Sequence, residues 1–181
     1  MAFTQPALIA RRAPTVLLDP TVMPNAAVAA MMQAVALSNV YDLTAQLSGE
    51  TNIVIGTNVY TLLSRHTRYG SPFLKDSEFV AATLSNLGYT PSYFWWTNNW
   101  YTNRNVIVTL PGSTKSNELV LMTAHLDDNS QLISRAPGAD DNASCCVALL
   151  LASQLLRNHT FARSVRFAFF TGEEQGLYGS A

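Results

Sequence analysis

Apolar residues recur at three- and four-residue steps between Asn25 and Leu47, a spacing typical of an α-helix. The positions that carry this pattern are Val28, Met31, Met32, Val35, Val40, Leu43 and Leu47. A second helix is predicted from about Ser77 to Leu87, because Gly88 follows it where a left-handed cap residue would stand. Methionines at helical spacing are usually buried, so we expect the Met31-Met32 pair to belong to the core.

The next part of the chain predicts strands and one further helix. The runs 93–96 and 105–110 are rich in β-forming residues and predict a hairpin. The run 119–124 is almost entirely apolar, as expected of a strand covered on both faces. A helical pattern over 142–157 and a second buried-type strand over 165–171 follow it. Strand, helix and strand within such a short span form a βαβ unit, so the sequence predicts an α/β fold with parallel strands.

Composition and charge limit the classes of partner. A chain of 181 residues that is 48% apolar can bury one core, and we expect one domain over residues 25–181. Residues 1–24 contain four prolines and no sustained period, which predicts an extension or lead-in. The net charge of −1 excludes a basic surface for nucleic acid or anionic lipid. No stretch has the pattern of a membrane span or a secretory signal.

The acidic residues indicate where chemistry takes place. Six of the twelve form adjacent pairs, Asp127-Asp128, Asp140-Asp141 and Glu173-Glu174. His125 and the pair Asp127-Asp128 follow the first parallel strand, and the pair Glu173-Glu174 follows the second. The pair Asp140-Asp141 precedes the helix between the two strands. Ligands of open α/β sheets bind at the carboxyl ends of the strands. Crowded carboxylates raise one another's pKa unless a cation compensates, and one imidazole with oxygen ligands suits a catalytic zinc.

Three motifs resemble those of the M28 metallopeptidases, a family that includes the leucyl aminopeptidases of bacteria and fungi. They are His-Leu-Asp at 125–127, Ala-Pro-Gly-Ala-Asp-Asp-Asn-Ala-Ser at 136–144, and Thr-Gly-Glu-Glu-Gln-Gly-Leu-Tyr-Gly-Ser at 171–180. The resemblance covers roughly residues 55–181 and is most specific at its end. It implies a three-layer α/β/α fold with a mixed, largely parallel central sheet, of which this chain is expected to be a truncated part.

The resemblance also implies a role for each site residue. His125 would bind one zinc ion, Asp141 would bridge two, and Glu174 would bind the other. Glu173 would act as the general base. Asp127 would lie near His125 and fix the orientation of the imidazole. Two zinc ions are therefore expected in the full-length protein, with peptides as substrates and the N-terminal peptide bond as the one hydrolysed.

Two further acids and one departure from the family pattern complete the motifs. Asp128 and Asp140 are expected to be structural. Cys145 stands where the family usually has glycine, a change that removes no ligand. Other readings remain open: a carboxypeptidase or a single-zinc glutaminyl cyclase of the same fold, a non-catalytic binding domain, or an unrelated α/β protein. A secreted or periplasmic protein is suggested by the resemblance alone, and the oligomeric state is not indicated.

The family takes a further Asp ligand and a further His ligand from later segments, so a chain ending at Ala181 is expected to hold an incomplete, inactive site. We expect His66 and His159 to lie outside the motif-bearing strand ends, where they cannot replace the missing ligand. We also expect the strand 165–171 to be the one left uncovered, and therefore prone to edge-to-edge association.

Overall fold

The apolar stretch near the start of the chain forms two helices, where the sequence pattern predicts one. In the computed structural model, which describes residues 25–70, 74–98 and 101–181, α1 is Ala26–Gln33 and α2 is Leu37–Leu47. The pattern contains the reason, because the step from Val35 to Val40 is five residues long and is not a helical step. The predicted lead-in, residues 1–24, lies outside the described residues.

The chain divides into two units, Met1–Gln33 and Ala34–Ala181. In the first unit α1 buries no residue, and Met32 is 72% exposed, so the expectation that the methionine pair is core is wrong. Among the described residues no single helix is long and apolar enough to cross a bilayer, and α1 and α2 meet that criterion only when taken together.

The second unit is built on a mixed four-stranded sheet. After a small hairpin of β1 (Ile53–Ile55) and β2 (Asn58–Tyr60) comes α3, Leu74–Asn86. The sheet strands and the last helix are β3 (Ser92–Thr97), β4 (Thr102–Leu110), β5 (Lys115–His125), α4 (Ser144–Leu156) and β6 (Arg163–Phe170). The sheet order is β3-β4-β6-β5. The β5–β6 pair is parallel and the other two pairs are antiparallel, as the predicted hairpin and βαβ unit require.

One core joins the sheet to the helices α2, α3 and α4. Its fully buried side chains include Phe167 and Phe169 of β6, Leu84 of α3 and Leu150 of α4. The helix α3 ends as predicted, with Gly88 at a φ of 89°. The mixed α/β architecture expected from the sequence is therefore confirmed.

β5 is an exposed edge strand, contrary to two expectations. Among the described strands it stands at one end of the sheet order and pairs with β6 alone. Leu119, Val120 and Leu121 are 45%, 46% and 52% exposed, so the prediction that this strand is covered on both faces is wrong. The expectation that β6 is the uncovered strand is also wrong, because β6 lies between β4 and β5. An apolar run records that a strand can be buried, but not which neighbours lie against it.

Candidate metal centre

Three side chains converge at the carboxyl ends of β5 and β6. His125 is the last residue of β5, Glu174 follows β6, and Asp141 lies in the turn Ala139–Ala143 before α4. One donor atom of each lies within 4.8 Å of the other two, and His125 Nε2 is 3.1 Å from Asp141 Oδ1. Within the described residues this is the one such group of His, Cys, Asp or Glu side chains.

The donor set and its spacing fit zinc. Two zinc–ligand bonds of about 2.0–2.2 Å at a tetrahedral angle place the donors of one ion about 3.3–3.6 Å apart. The spread of 4.8 Å is wider than this separation and suits ligands shared between two ions. Nitrogen and carboxylate oxygen without thiolate is the donor chemistry of catalytic zinc sites.

Asp141 reaches the site because the chain leaves the helical conformation there. Its φ and ψ are −108° and 97°, and the Asp141–Asn142 peptide is cis. The helix α4 begins only at Ser144, later than the predicted start at residue 142. Asp141 therefore stands before the helix, with 71% of its side chain exposed.

Asp127 is a buried residue that holds the neighbouring site residues in place. It is fully buried, and its carboxylate accepts the backbone N–H groups of Glu173 and Glu174, each at 3.2 Å. The hydroxyl of Thr67 donates to the same carboxylate at 3.3 Å. Burial raises the pKa of Asp127, and the two backbone N–H groups act in the opposite direction. This carboxylate therefore fixes the position of both glutamates through their main chain.

The backbone of Asp127 also holds the imidazole. His125 Nδ1 is 3.2 Å from the carbonyl oxygen of Asp127 and 3.8 Å from its carboxylate Oδ1. A proton on Nδ1 donated to that carbonyl leaves Nε2, which faces Asp141, free to bind a metal. Asp127, which the resemblance predicts to orient the imidazole, thus contacts His125 mainly through its main-chain carbonyl. Its carboxylate binds the backbone N–H groups of the two glutamates.

The charges at the site favour a bound cation. Burial raises the pKa of Glu174, and the nearby carboxylate of Asp141 raises it further. A divalent ion between these groups would relieve the repulsion. Glu173, the predicted general base, is half-buried and adjoins Glu174, so the two share the anchor on Asp127.

The loop that carries both glutamates is held at each end by Asn105. The amide of Asn105, which is fully buried, accepts the N–H of Thr171 at 2.9 Å and donates to the carbonyl of Gly179 at 2.6 Å. Trp96 Nε1 donates to the hydroxyl of Thr171 at 2.9 Å, and the Trp96 ring stacks on Tyr178. The sequence pattern offers no signal for the Asn105 contacts, since they join segments far apart in the chain.

Gly172 must remain a glycine in this loop. Its φ is 75°, and a Cβ atom would lie 2.5 Å from the Trp96 ring. We expect Gly172→Ala to lower the free energy of unfolding by about 2–5 kcal/mol, combining left-handed strain with overpacking. Gly56→Ala is the matched control, because Gly56 has a φ of 62° and open space around it. Urea unfolding of both variants measures the difference, and equal losses would contradict the role of Trp96.

A segment that sequence reasoning left out lies beside the site. Parallel bridges join Ser64 to Ala136 and His66 to Asp128. The expectation that His66 lies away from the motif-bearing strand ends is therefore wrong, because its backbone pairs with that of Asp128. His66 is nevertheless not one of the three converging side chains. His159 follows the far end of α4, about 20 Å along the helix from its start.

Comparisons with known proteins agree with the three motifs. The sequence model of Peptidase family M28 matches residues 105–181. A probable leucine aminopeptidase 1 of Trichophyton verrucosum is 35% identical over 137 residues, which are 66% of this chain and 36% of that protein. A leucine aminopeptidase 1 of Trichophyton rubrum is 39% identical over 89 residues, 44% of this chain and 23% of that protein. The chain thus spans about a third or less of the length of these relatives.

Solved structures share the fold. LapB from Legionella pneumophila superposes with a TM-score of 0.69 at 17% identity, over 86% of this chain and 40% of that one. A glutaminyl cyclase from an Acidobacteriales bacterium gives a TM-score of 0.61 at 20% identity, over 78% and 49%. At these identities the likeness concerns the fold alone. The sequence matches support the family assignment: residues 105–181, which contain the motifs around His125, Asp141 and Glu173, match Peptidase family M28.

Proposed function

We propose that this protein is a zinc-dependent exopeptidase that hydrolyses the N-terminal peptide bond of peptides. The observation that carries the proposal is the convergence of His125, Asp141 and Glu174 at one sheet edge, with donor atoms within 4.8 Å. One imidazole and two carboxylates without a thiolate match the donor chemistry of catalytic zinc sites.

His125 and Glu174 would each hold one of two zinc ions, and Asp141 would bridge them. Bound zinc supplies a Lewis acid for the substrate carbonyl and lowers the pKa of water in the site. Asp141 suits the bridging position because its carboxylate offers two oxygen donors, one of which lies 3.1 Å from the imidazole of His125.

The protein's own residues would move the protons. The carboxylate of Glu173 would accept a proton from the attacking water and return it to the nitrogen of the leaving amine. Asp127 supports this exchange by fixing the main chain of Glu173 at 3.2 Å and by its carbonyl contact with the imidazole of His125. Burial raises the pKa of Glu174 and the neighbouring carboxylate of Asp141 raises it further, and bound zinc would neutralise this negative charge.

A glutaminyl cyclase of the same fold is the second candidate, because a solved structure of that activity superposes on 78% of this chain. The aminopeptidase is favoured by sequence, since the relatives matched at 35–39% identity are named leucine aminopeptidases. A carboxypeptidase and a non-catalytic binding domain are left as outcomes of the test.

Substrate specificity for a free α-amine tests the proposal. Full-length protein should hydrolyse leucine p-nitroanilide, lose this activity to a zinc chelator and regain it with added zinc. N-acetyl-leucine p-nitroanilide is the matched control and should not be cut. Cyclisation of peptides with N-terminal glutamine, without hydrolysis, would establish the glutaminyl cyclase instead. Release of C-terminal residues would indicate a carboxypeptidase, and zinc binding without turnover on any of these substrates would indicate a binding domain.

A further inference from the structure

Arg65 is a fully buried cation whose hydrogen bonds all go to the main chain. It is 0% exposed, the largest side chain among the fully buried residues. Its guanidinium donates to the carbonyl oxygens of Leu126 at 2.8 Å, Leu47 at 2.7 Å and Gly138 at 2.8 Å, and also to that of Pro137. Within the described residues it forms no ion pair with a carboxylate. A buried charge is costly unless its donors are satisfied, and here carbonyl dipoles satisfy them.

Three of the four carbonyl partners of Arg65 lie in the two segments that carry His125 and Asp141, and the fourth belongs to Leu47, the last residue of α2. Leu126 separates His125 from Asp127, and Gly138 precedes Asp141 by three residues. The guanidinium bonds one segment through Nε and the other through its two terminal nitrogens.

The main chain of Arg65 repeats this link between the same segments. Its N–H donates to the carbonyl of Ala136 at 2.8 Å, and its carbonyl accepts the N–H of Asp128 at 3.1 Å. The residue therefore joins the His125 segment to the Asp141 segment through both its side chain and its backbone.

The space around the guanidinium is tight. Gly138 has a φ of 48°, and a Cβ atom there would lie 2.7 Å from Arg65 Nη2 and 2.2 Å from the carbonyl oxygen of Asp141. The start of the turn that carries Asp141 thus packs directly against the guanidinium. Displacement of Arg65 would release this turn, and with it the carboxylate of Asp141.

We propose that Arg65 is a positioning residue that sets the separation of His125 and Asp141 and, through it, the affinity of the site for zinc. The inference rests on the proposed zinc function. Arginine suits this role because its planar fork directs several N–H groups to fixed carbonyls at once. Lysine carries the same charge on a single nitrogen and cannot reproduce the fork.

The first test compares Arg65→Lys with Arg104→Lys in the full-length protein. Arg104 is also buried, at 8% exposure, but its side chain donates to Ser77 Oγ and the Leu74 carbonyl in the α3 region. We expect Arg65→Lys to bind zinc about 10–100-fold more weakly, the range found when groups that orient metal ligands are lost. When cobalt replaces zinc in the site, the absorption spectrum of Arg65→Lys should also differ from that of the wild type. Arg104→Lys should lower stability yet keep the wild-type zinc affinity and cobalt spectrum.

Hydrogen exchange tests the same role without metal. In Arg65→Lys, peptides covering residues 126–128 and 136–143 should exchange faster than in the wild type, whereas residues 106–110 of β4 should not change. If the substitution changes the exchange rate by the same factor in all three regions, or in none of them, the proposal is overturned. If the wild type binds no zinc, the proposed function fails, and this comparison still decides whether Arg65 joins the two segments.

A measurement on the wild-type protein tests the proposal even if Arg65→Lys does not fold. In nitrogen-15 spectra the Nε–H resonance of Arg65 should shift when zinc is added, since Arg65 Nε donates to the carbonyl next to His125. The Nε–H of Arg104 serves as the control in the same spectrum and should stay in place. A zinc-bound protein in which the Arg65 resonance does not move, or a folded Arg65→Lys with wild-type affinity and spectrum, would refute the role.

Discussion

Glu173→Gln is expected to lower turnover by about 10²–10⁴-fold while the protein keeps its zinc, because glutamine preserves the size of the side chain but accepts no proton. The loop should stay in place. Its contact with Asp127 is made by the main-chain N–H of residue 173, which the substitution does not alter. The effect should appear in kcat and kcat/KM alike, as for an interaction made in the transition state.

Metal analysis and steady-state kinetics on an amino-acid p-nitroanilide separate these two quantities. Glu118→Gln is a matched control, since Glu118 on β5 pairs with Arg163 and Lys115 at the surface. That variant should keep both zinc and turnover. Loss of zinc from Glu173→Gln would mean that Glu173 binds the metal, and the roles assigned to Glu173 and Glu174 would then be wrong.

Local sequence patterns predicted much of this molecule. The hairpin of β3 and β4, the parallel pair of β5 and β6 and the cap at Gly88 all follow from periods and turn residues within short windows. The three acid pairs fall where strand ends and a helix start place them. These features depend on residues that are close together in sequence, so the spacing of apolar and turn residues predicts them directly.

Other features depend on contacts between distant segments. Arg65 reads as an ordinary polar residue in sequence, yet it is fully buried against carbonyls from three separate parts of the chain. Asn105 closes the loop of the glutamates across more than 60 residues. Neither contact has a period or a motif of its own, since main-chain carbonyls are present at every position. The exposure of β5 could not be predicted for a similar reason, because it is set by which strand ends the sheet.

Asp141→Asn is expected to release zinc as well as activity, which makes it the counterpart of Glu173→Gln. A neutral amide is a poor bridge between two cations and offers only one oxygen donor. We expect zinc affinity to fall by at least about 100-fold, above the 10–100-fold typical of groups that only orient ligands. The fold should survive, since 71% of the Asp141 side chain is exposed.

Asp140→Asn is the matched control for this variant. Asp140 is the exposed neighbour of Asp141, carries the same charge and lies outside the converging group. Calorimetric zinc titration of both variants, beside circular dichroism as a check on folding, distinguishes a ligand from an adjacent charge. A general effect of negative charge would weaken zinc binding equally in the two variants. Equal weakening would remove Asp141 from the site and leave His125 and Glu174 without a bridge, whereas selective loss in Asp141→Asn would establish it as the residue on which the centre depends.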